Sequence, residues 1–162
     1  MAVAEIIGSA VGAMLLIVVA YLLIGSVLNT AEVVSSAQKD LTLISEVRLQ
    51  TDIQITNVAV DGNVINLTVK NTGNQIITDF PHTNVFLHTI SGTPGYQIYT
   101  YDPNPAGTSS GNWTKSIIND YIHPGELDPG ETMYVNVFTD SILVPFNVGI
   151  CTNNGVYAST IV

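Results

Sequence analysis

The sequence predicts an α+β chain: a long hydrophobic N-terminal α-helix followed by an all-β head built as a sandwich or barrel. Two observations carry this. Residues 6–28, IIGSAVGAMLLIVVAYLLIGSVL, form an uncharged and mostly apolar run, and the chain has no second run like it. At about 1.5 Å of rise per residue the run is long enough to cross a bilayer core of roughly 30 Å. After Thr51 the hydrophobic period changes from helical to two, and short alternating segments follow one another with turn residues between them.

The helix is expected to continue past the membrane-length segment. Residues 30–50 contain neither Pro nor Gly, and Val34, Ala37, Leu41, Ile44 and Val47 recur at intervals of three and four, as one apolar stripe on a helix does. Glu32, Gln38, Lys39, Asp40 and Glu46 mostly occupy the other faces. One helix from about Ala2 to about Gln50 would be roughly 70 Å long. Gly25-Ser26 is the expected kink, because Gly is the weakest ordinary helix former. The domain boundary follows: residues 1–50 as the transmembrane or filament-core helix, residues 51–162 as the head.

In the head, TDIQITNVAV places Ile53 and Ile55 on one face, then Val58 and Val60, and the slip at Thr56-Asn57 predicts a β-bulge. Asp61-Gly62-Asn63 is a hairpin turn, since Gly tolerates positive φ. Ile65, Leu67 and Val69 then alternate, and Asn71-Thr72-Gly73-Asn74 is the next turn. Further strands are expected at 84–90, 96–101, 132–138, 142–152 and 156–162, the last two joined by Asn153-Asn154-Gly155. DPNPAGTSSGN (102–112) is a long surface loop, and HPGELDPGE (123–131) a rigid double Pro-Gly turn.

Composition narrows the function. The formal net charge of the 162 residues is −9, with Lys39, Arg48, Lys70 and Lys115 as the only Lys and Arg. Such a chain cannot neutralise a run of phosphates, so nucleic acid is not an expected partner, and anionic headgroups are poor ones. Cys151 is the only cysteine, which rules out an intrachain disulfide or a thiolate zinc site, and it reads as a small buried residue in a strand. His82, His88 and His123 are too widely spaced for a metal motif, and Asp128, Glu131 and Asp140 lack calcium-loop spacing. No nucleophile elbow, phosphate loop or CxxC pair occurs. The expectation is therefore a non-enzyme with no cofactor, no metal and no small-molecule substrate. Tyr96, Tyr99, Tyr101, Trp113 and Tyr121 gather around the long loop, either packed beneath it or as a contact patch.

The candidate functional residues lie mostly on the helix. Glu5 is the only charge before Glu32 and stands at the edge of the apolar run. It either caps the first turn, where the helix dipole favours an anion, or pairs with a cation from a neighbouring chain. Gly8 and Gly12 form a small-xxx-small motif that lets helix backbones approach closely in an apolar medium. With Leu15, Val19, Leu22, Leu23 and Ile24 they are the expected packing residues between helices. Asn66-Leu67-Thr68 and Asn112-Trp113-Thr114 are glycosylation sequons, which would place the head outside the cell. Asn66 is expected in a strand, on the face opposite Ile65 and Leu67, and Asn112 at the end of the long loop. The apolar run has no cationic stretch before it and exceeds a signal-peptide core, so it is read as part of the working protein.

MAVAEIIGSAVGAMLLIVVAYLL, followed by an amphipathic helix and a β-sandwich, resembles the archaeal type IV pilin-like family of archaellins and adhesion pilins, with the archaellum accessory proteins F and G as relatives. VRLQTDIQITNV, TVKNTGNQII, LDPGETMYVNV and NNGVYASTIV look particularly like the accessory proteins. The resemblance spans nearly the whole chain and implies an Ig-like head. Glu5 matches the fifth-position glutamate of type IV pilins if Met1 is a mature N-terminus, whereas Met1 as the start codon suits an uncleaved accessory protein. The leading expectation is a structural subunit of an extracellular archaellum or pilus, polymerising through its helix for motility or adhesion and held in the membrane before assembly. Its partners would be other copies of itself, with an S-layer or another surface beyond. The alternative is a membrane-anchored, stator-like accessory protein whose head binds the S-layer or motor.

Overall fold

The computed structural model describes residues 2–90, 95–104, 110–142 and 146–162. One helix, α1 (Ala2–Gln50), precedes eight strands: β1 (Ile53–Asp61), β2 (Val64–Asn71), β3 (Asn84–Thr89), β4 (Gly95–Tyr101), β5 (Asn112–Ile118), β6 (Thr132–Phe138), β7 (Phe146–Cys151) and β8 (Tyr157–Ile161). The chain divides into two compact units, Met1–Ile44 and Ser45–Val162, so the last turn of α1 belongs with the strands.

In the first unit α1 is helical without interruption through Gly25 and Ser26. The apolar segment is long and hydrophobic enough to cross a membrane, with a mean hydropathy of 2.6 and none of it buried. Leu16, Ile17 and Tyr21 are as exposed as Leu15 and Leu22, so apolar side chains cover every face. A helix that is hydrophobic all round calls for lipid or other helices rather than for one sheet to lie against.

In the second unit the strands run in the order β1-β2-β6-β5-β4-β3-β7-β8. Every neighbouring pair is antiparallel except β4 and β5, which meet in parallel over Thr100↔Asn112 and Tyr101↔Trp113 alone. Two four-stranded halves are thus joined by a short seam, and on the other side β1 and β8 approach each other without a ladder. The result is a nearly closed sandwich. Ile65, Leu67 and Val69 of β2 and Met133, Val135 and Val137 of β6 share one core with Val85 and Leu87 of β3 and Phe146, Val148 and Ile150 of β7. Trp113 and Tyr99 are its largest fully buried or nearly fully buried side chains, and Ile77, Phe80 and Leu127, outside the strands, join the same core.

The expected bulge is present, with the β1–β2 register slipping between Ile55 and Asn57. Gly62 turns the first hairpin at φ 58°. Strand β5 departs from the sequence reading, which ended a loop at 112 and expected no strand there. Trp113 faces the core, but Lys115 takes the next position on that side and breaks the apolar alternation. It packs instead with its ammonium 4.0 Å from the centre of the Phe80 ring. Asn112 is accordingly the first residue of β5 rather than the end of a loop. Strand β7 starts at Phe146, with residues 143–145 outside the described ones. Cys151 closes β7 half-exposed on the outer face, because the inward positions go to Phe146, Val148 and Ile150.

Candidate functional site

The predicted assembly residues of α1 are all exposed. Around an axis at about 100° per residue, Glu5, Gly12, Leu15, Val19, Leu22 and Leu23 fall within about 60° of Gly8, while Ile24 lies about 160° away. Six of the seven predicted packing residues therefore share one face with Glu5, and Ile24 does not. A Cβ at Gly8 or Gly12 would meet nothing within 4 Å. Those glycines leave a flat strip along which a second backbone could lie.

The exit of the helix is the most tightly specified part of the β-unit. The Gln50 carbonyl, which has no partner inside the helix, accepts from Asn74 N (2.8 Å) and Gln75 N (3.1 Å). Two residues on, the Asp52 carbonyl accepts from Thr72 N (2.9 Å) and Gly73 N (3.0 Å), and Thr72 Oγ1 donates to Asp52 Oδ2 at 2.7 Å. The turn after β2 thus caps the helix. It can come this close only because residue 73 is glycine: a Cβ there would stand 2.5 Å from the Gln50 oxygen and closer still to the Asp52 nitrogen. Asn71, fully buried, ties the turn to the far loop by donating from Nδ2 to the carbonyls of Gln75 (2.8 Å) and Leu127 (3.0 Å). From the other side Asn154 Nδ2 donates to Thr51 Oγ1 at 2.6 Å. A polar cleft of about 140 Å³ lined by Val47, Thr51, Ile77 and Asn153 lies beside this joint. It is smaller than the roughly 300 Å³ at which ordinary ligand pockets begin.

The loop expected to be a rigid double turn is tied at both ends. His123 Nδ1 pairs with Asp128 Oδ1 at 2.9 Å, which raises the His123 pKa above 6.5. Asp128 N donates to Glu131 Oε2 at 3.0 Å, Lys115 Nζ to the Gly125 carbonyl at 2.6 Å, and Gly125 N to Asp120 Oδ2 at 2.7 Å. Burial holds Lys115 below the usual lysine range. The three histidines go to separate partners: His82 pairs with Asp79 at 2.7 Å, whose pKa it lowers, and His88 stacks on Tyr96 with ring centres 4.2 Å apart. Among the described residues no group of three His, Cys, Asp or Glu is placed to hold a metal ion.

The aromatic group around the long loop separates. Tyr99 and Trp113 are buried and Tyr101 packs on Trp113 with ring centres 4.9 Å apart, whereas Tyr96 and Tyr121 are 78% and 83% exposed. Asn66 stands on the outer face of β2, opposite the side taken by Ile65 and Leu67, between Ala59 and Asn136. Asn112 accepts from Thr100 Oγ1 at 3.0 Å. What sequence reasoning missed is the helix cap. Its only signal was a Gly in a turn, and the reason for that Gly lies more than twenty residues upstream.

A sandwich of this strand order with a capped helix entering it defines the class of fold: an Ig-like β-domain carried on a long apolar helix. The archaellum periplasmic stator protein FlaG from Sulfolobus acidocaldarius is similar in structure, with a TM-score of 0.54 and 20% identity, over 69% of this chain and 99% of that one. The archaellum periplasmic stator protein complex of FlaF and FlaG from the same organism is similar at the same TM-score and identity, over 68% of this chain and 87% of the matched one. At that identity the likeness is one of fold. The matched share equals the β-domain in size. No family model matches the sequence, and no curated protein matches it.

Proposed function

We propose that this chain is a membrane-anchored accessory protein of an archaellum, of the stator-like kind, with α1 in the bilayer and the β-domain as the part that engages other archaellum components or the S-layer. The observation that carries the reading is the fold likeness of the β-domain to FlaG, which covers 99% of that protein chain. The all-round apolar surface of the first part of α1 supports an anchor, because lipid satisfies every face at once. The capped helix exit supports a role in transmitting force: hydrogen bonds on the carbonyls of Gln50 and Asp52 oppose tilting of the last helical turn against the sheet. In this reading the protein is structural and catalyses nothing, and an outside location would expose Asn66 and Asn112 to glycosylation.

The filament-subunit reading is kept alive by one observation, the strip formed by Glu5, Gly8, Gly12, Leu15 and Val19, which suits helix-to-helix packing. Fractionation separates the two. The anchored reading expects the chain in the membrane pellet after alkaline washing and absent from fibres sheared off cells. Recovery as the main component of sheared fibres, together with loss of those fibres in Gly12→Phe, would establish the filament reading instead.

A further inference from the structure

The outer face of the β4-β3-β7-β8 half has a composition unlike the rest of the molecule. Its cross-strand registers place eleven outward positions in three rows, one running Tyr96–His88–Asn147–Ile161, the next Ile98–Phe86–Gly149–Ser159 and the third Asn84–Cys151–Tyr157. None of the eleven is Asp, Glu, Lys or Arg, in a chain of net charge −9. Tyr96 is 78% exposed, Ile98 60%, Tyr157 54% and Ile161 66%. Tyr157 lies across Gly149, whose missing side chain leaves the space its ring occupies. The outer face of the other half is mostly polar, with Asn66, Asn136 and Thr114 in one row and Thr68, Tyr134 and Ser116 in the next, and it carries the charges of Asp61 and Lys70.

We propose that this uncharged aromatic face is the surface through which two copies of the chain associate, sheet against sheet. A partner recognised by opposite charge would need acids on the face, and it has none. A second copy carries the same net charge of −9, so two copies repel unless they meet through the one sheet face without formal charge. A twofold contact sets the same patch on both copies, so a patch without formal charge places no like charges against each other. The four large exposed side chains offer on the order of 500 Å² of apolar surface, at the upper end of what monomers leave open. A stable free dimer buries about 800 Å² per partner. Association should therefore be weak in dilute solution and become substantial when copies share one bilayer, which raises their effective concentration. The proposal rests on the anchored reading for that confinement alone.

Cys151, half-exposed in the third row of the same face, is a built-in reporter. The full chain is reconstituted in phosphatidylcholine vesicles, treated with a short bismaleimide and run on a denaturing gel, with vesicle flotation recorded on the same samples. The expected result is a cross-linked dimer in the wild type, absent in Cys151→Ser and reduced about tenfold in Ile98→Glu, since like charges then face each other across the contact. Ser116→Glu, which adds the same charge to the other half, keeps the wild-type yield, and Trp113 fluorescence reports that each variant is folded. A Cys151 that takes a monofunctional maleimide but yields no dimer overturns the proposal. So does an equal loss in Ile98→Glu and Ser116→Glu, or no loss in Ile98→Glu. Cross-linking in native membranes only to a different protein counts against it as well. Failure of the protein to float with the vesicles is a separate outcome: it refutes the anchor, and the dimer is then read on detergent-solubilised chain at high concentration.

Discussion

Replacing Gly73 with Ala tests the helix cap, and its cost can be worked from the geometry. The added Cβ would sit 2.5 Å from the Gln50 oxygen and closer to the Asp52 nitrogen. Both are backbone atoms held by the helix on one side and by β1 on the other, so neither can rotate away. The turn must retreat, and the four hydrogen bonds from residues 72–75 to the Asp52 and Gln50 carbonyls lengthen or break. Losing about half of them, at about 1 kcal/mol each, and adding about 1–3 kcal/mol of overpacking gives about 3–5 kcal/mol. A domain of this size has a total of about 5–15 kcal/mol. The midpoint of thermal unfolding should fall by about 10–20 °C. The assay is near-ultraviolet circular dichroism of the full chain in detergent, where buried Trp113 reports the core. Gly62→Ala is the control: that residue has φ 58° and open space around it, so only the backbone preference is lost, at about 1 kcal/mol. A Gly73→Ala variant that melts with the wild type, or no lower than Gly62→Ala, would refute the steric argument.

Other outcomes follow from the same contacts. Leu67→Ala, at a fully buried position, should cost about 2–5 kcal/mol in the same melt, whereas Leu22→Ala, 64% exposed on α1, should leave the head's unfolding where it was. Asn154→Ala removes the donor to Thr51 Oγ1 and should destabilise by about 1–2 kcal/mol, with faster amide exchange at Thr51 and Gly155 as the local signature. The His123–Asp128 pair sets a pH dependence. Because the folded pKa of His123 lies above 6.5, its contribution is fully present below that value and is lost as pH rises through the raised folded one. The melting difference between wild type and His123→Gln should accordingly shrink from mildly acidic to mildly alkaline pH, and a difference that grows would contradict the pairing. Asp79, whose pKa is lowered by His82, works in the opposite sense: its contribution is present above about pH 4 and fades as pH falls, so Asp79→Asn should lose its effect on melting in acid.

The amino-acid sequence by itself determined the division of labour in this molecule. An uninterrupted apolar run specifies its own structure, because a helix closes its backbone hydrogen bonds locally and no distant partner is needed. The same locality made the bulge after Ile55 and the hairpins at Gly62 and Gly155 readable, since each rests on a few adjacent residues. What only the tertiary structure decided depends on residues far apart in the chain. Strand β5 exists because β6 and the seam with β4 give its backbone partners, and Lys115 at an inward position hid it from periodicity. Gly73 matters because Gln50 and Asp52 return beside it. The uncharged face appears only when four strands, drawn from residues 84 to 161, are set side by side. Local hydrogen bonding and turn chemistry leave their marks in neighbouring residues, whereas close packing and surface patches are properties of the register between strands, which no single stretch of the chain contains.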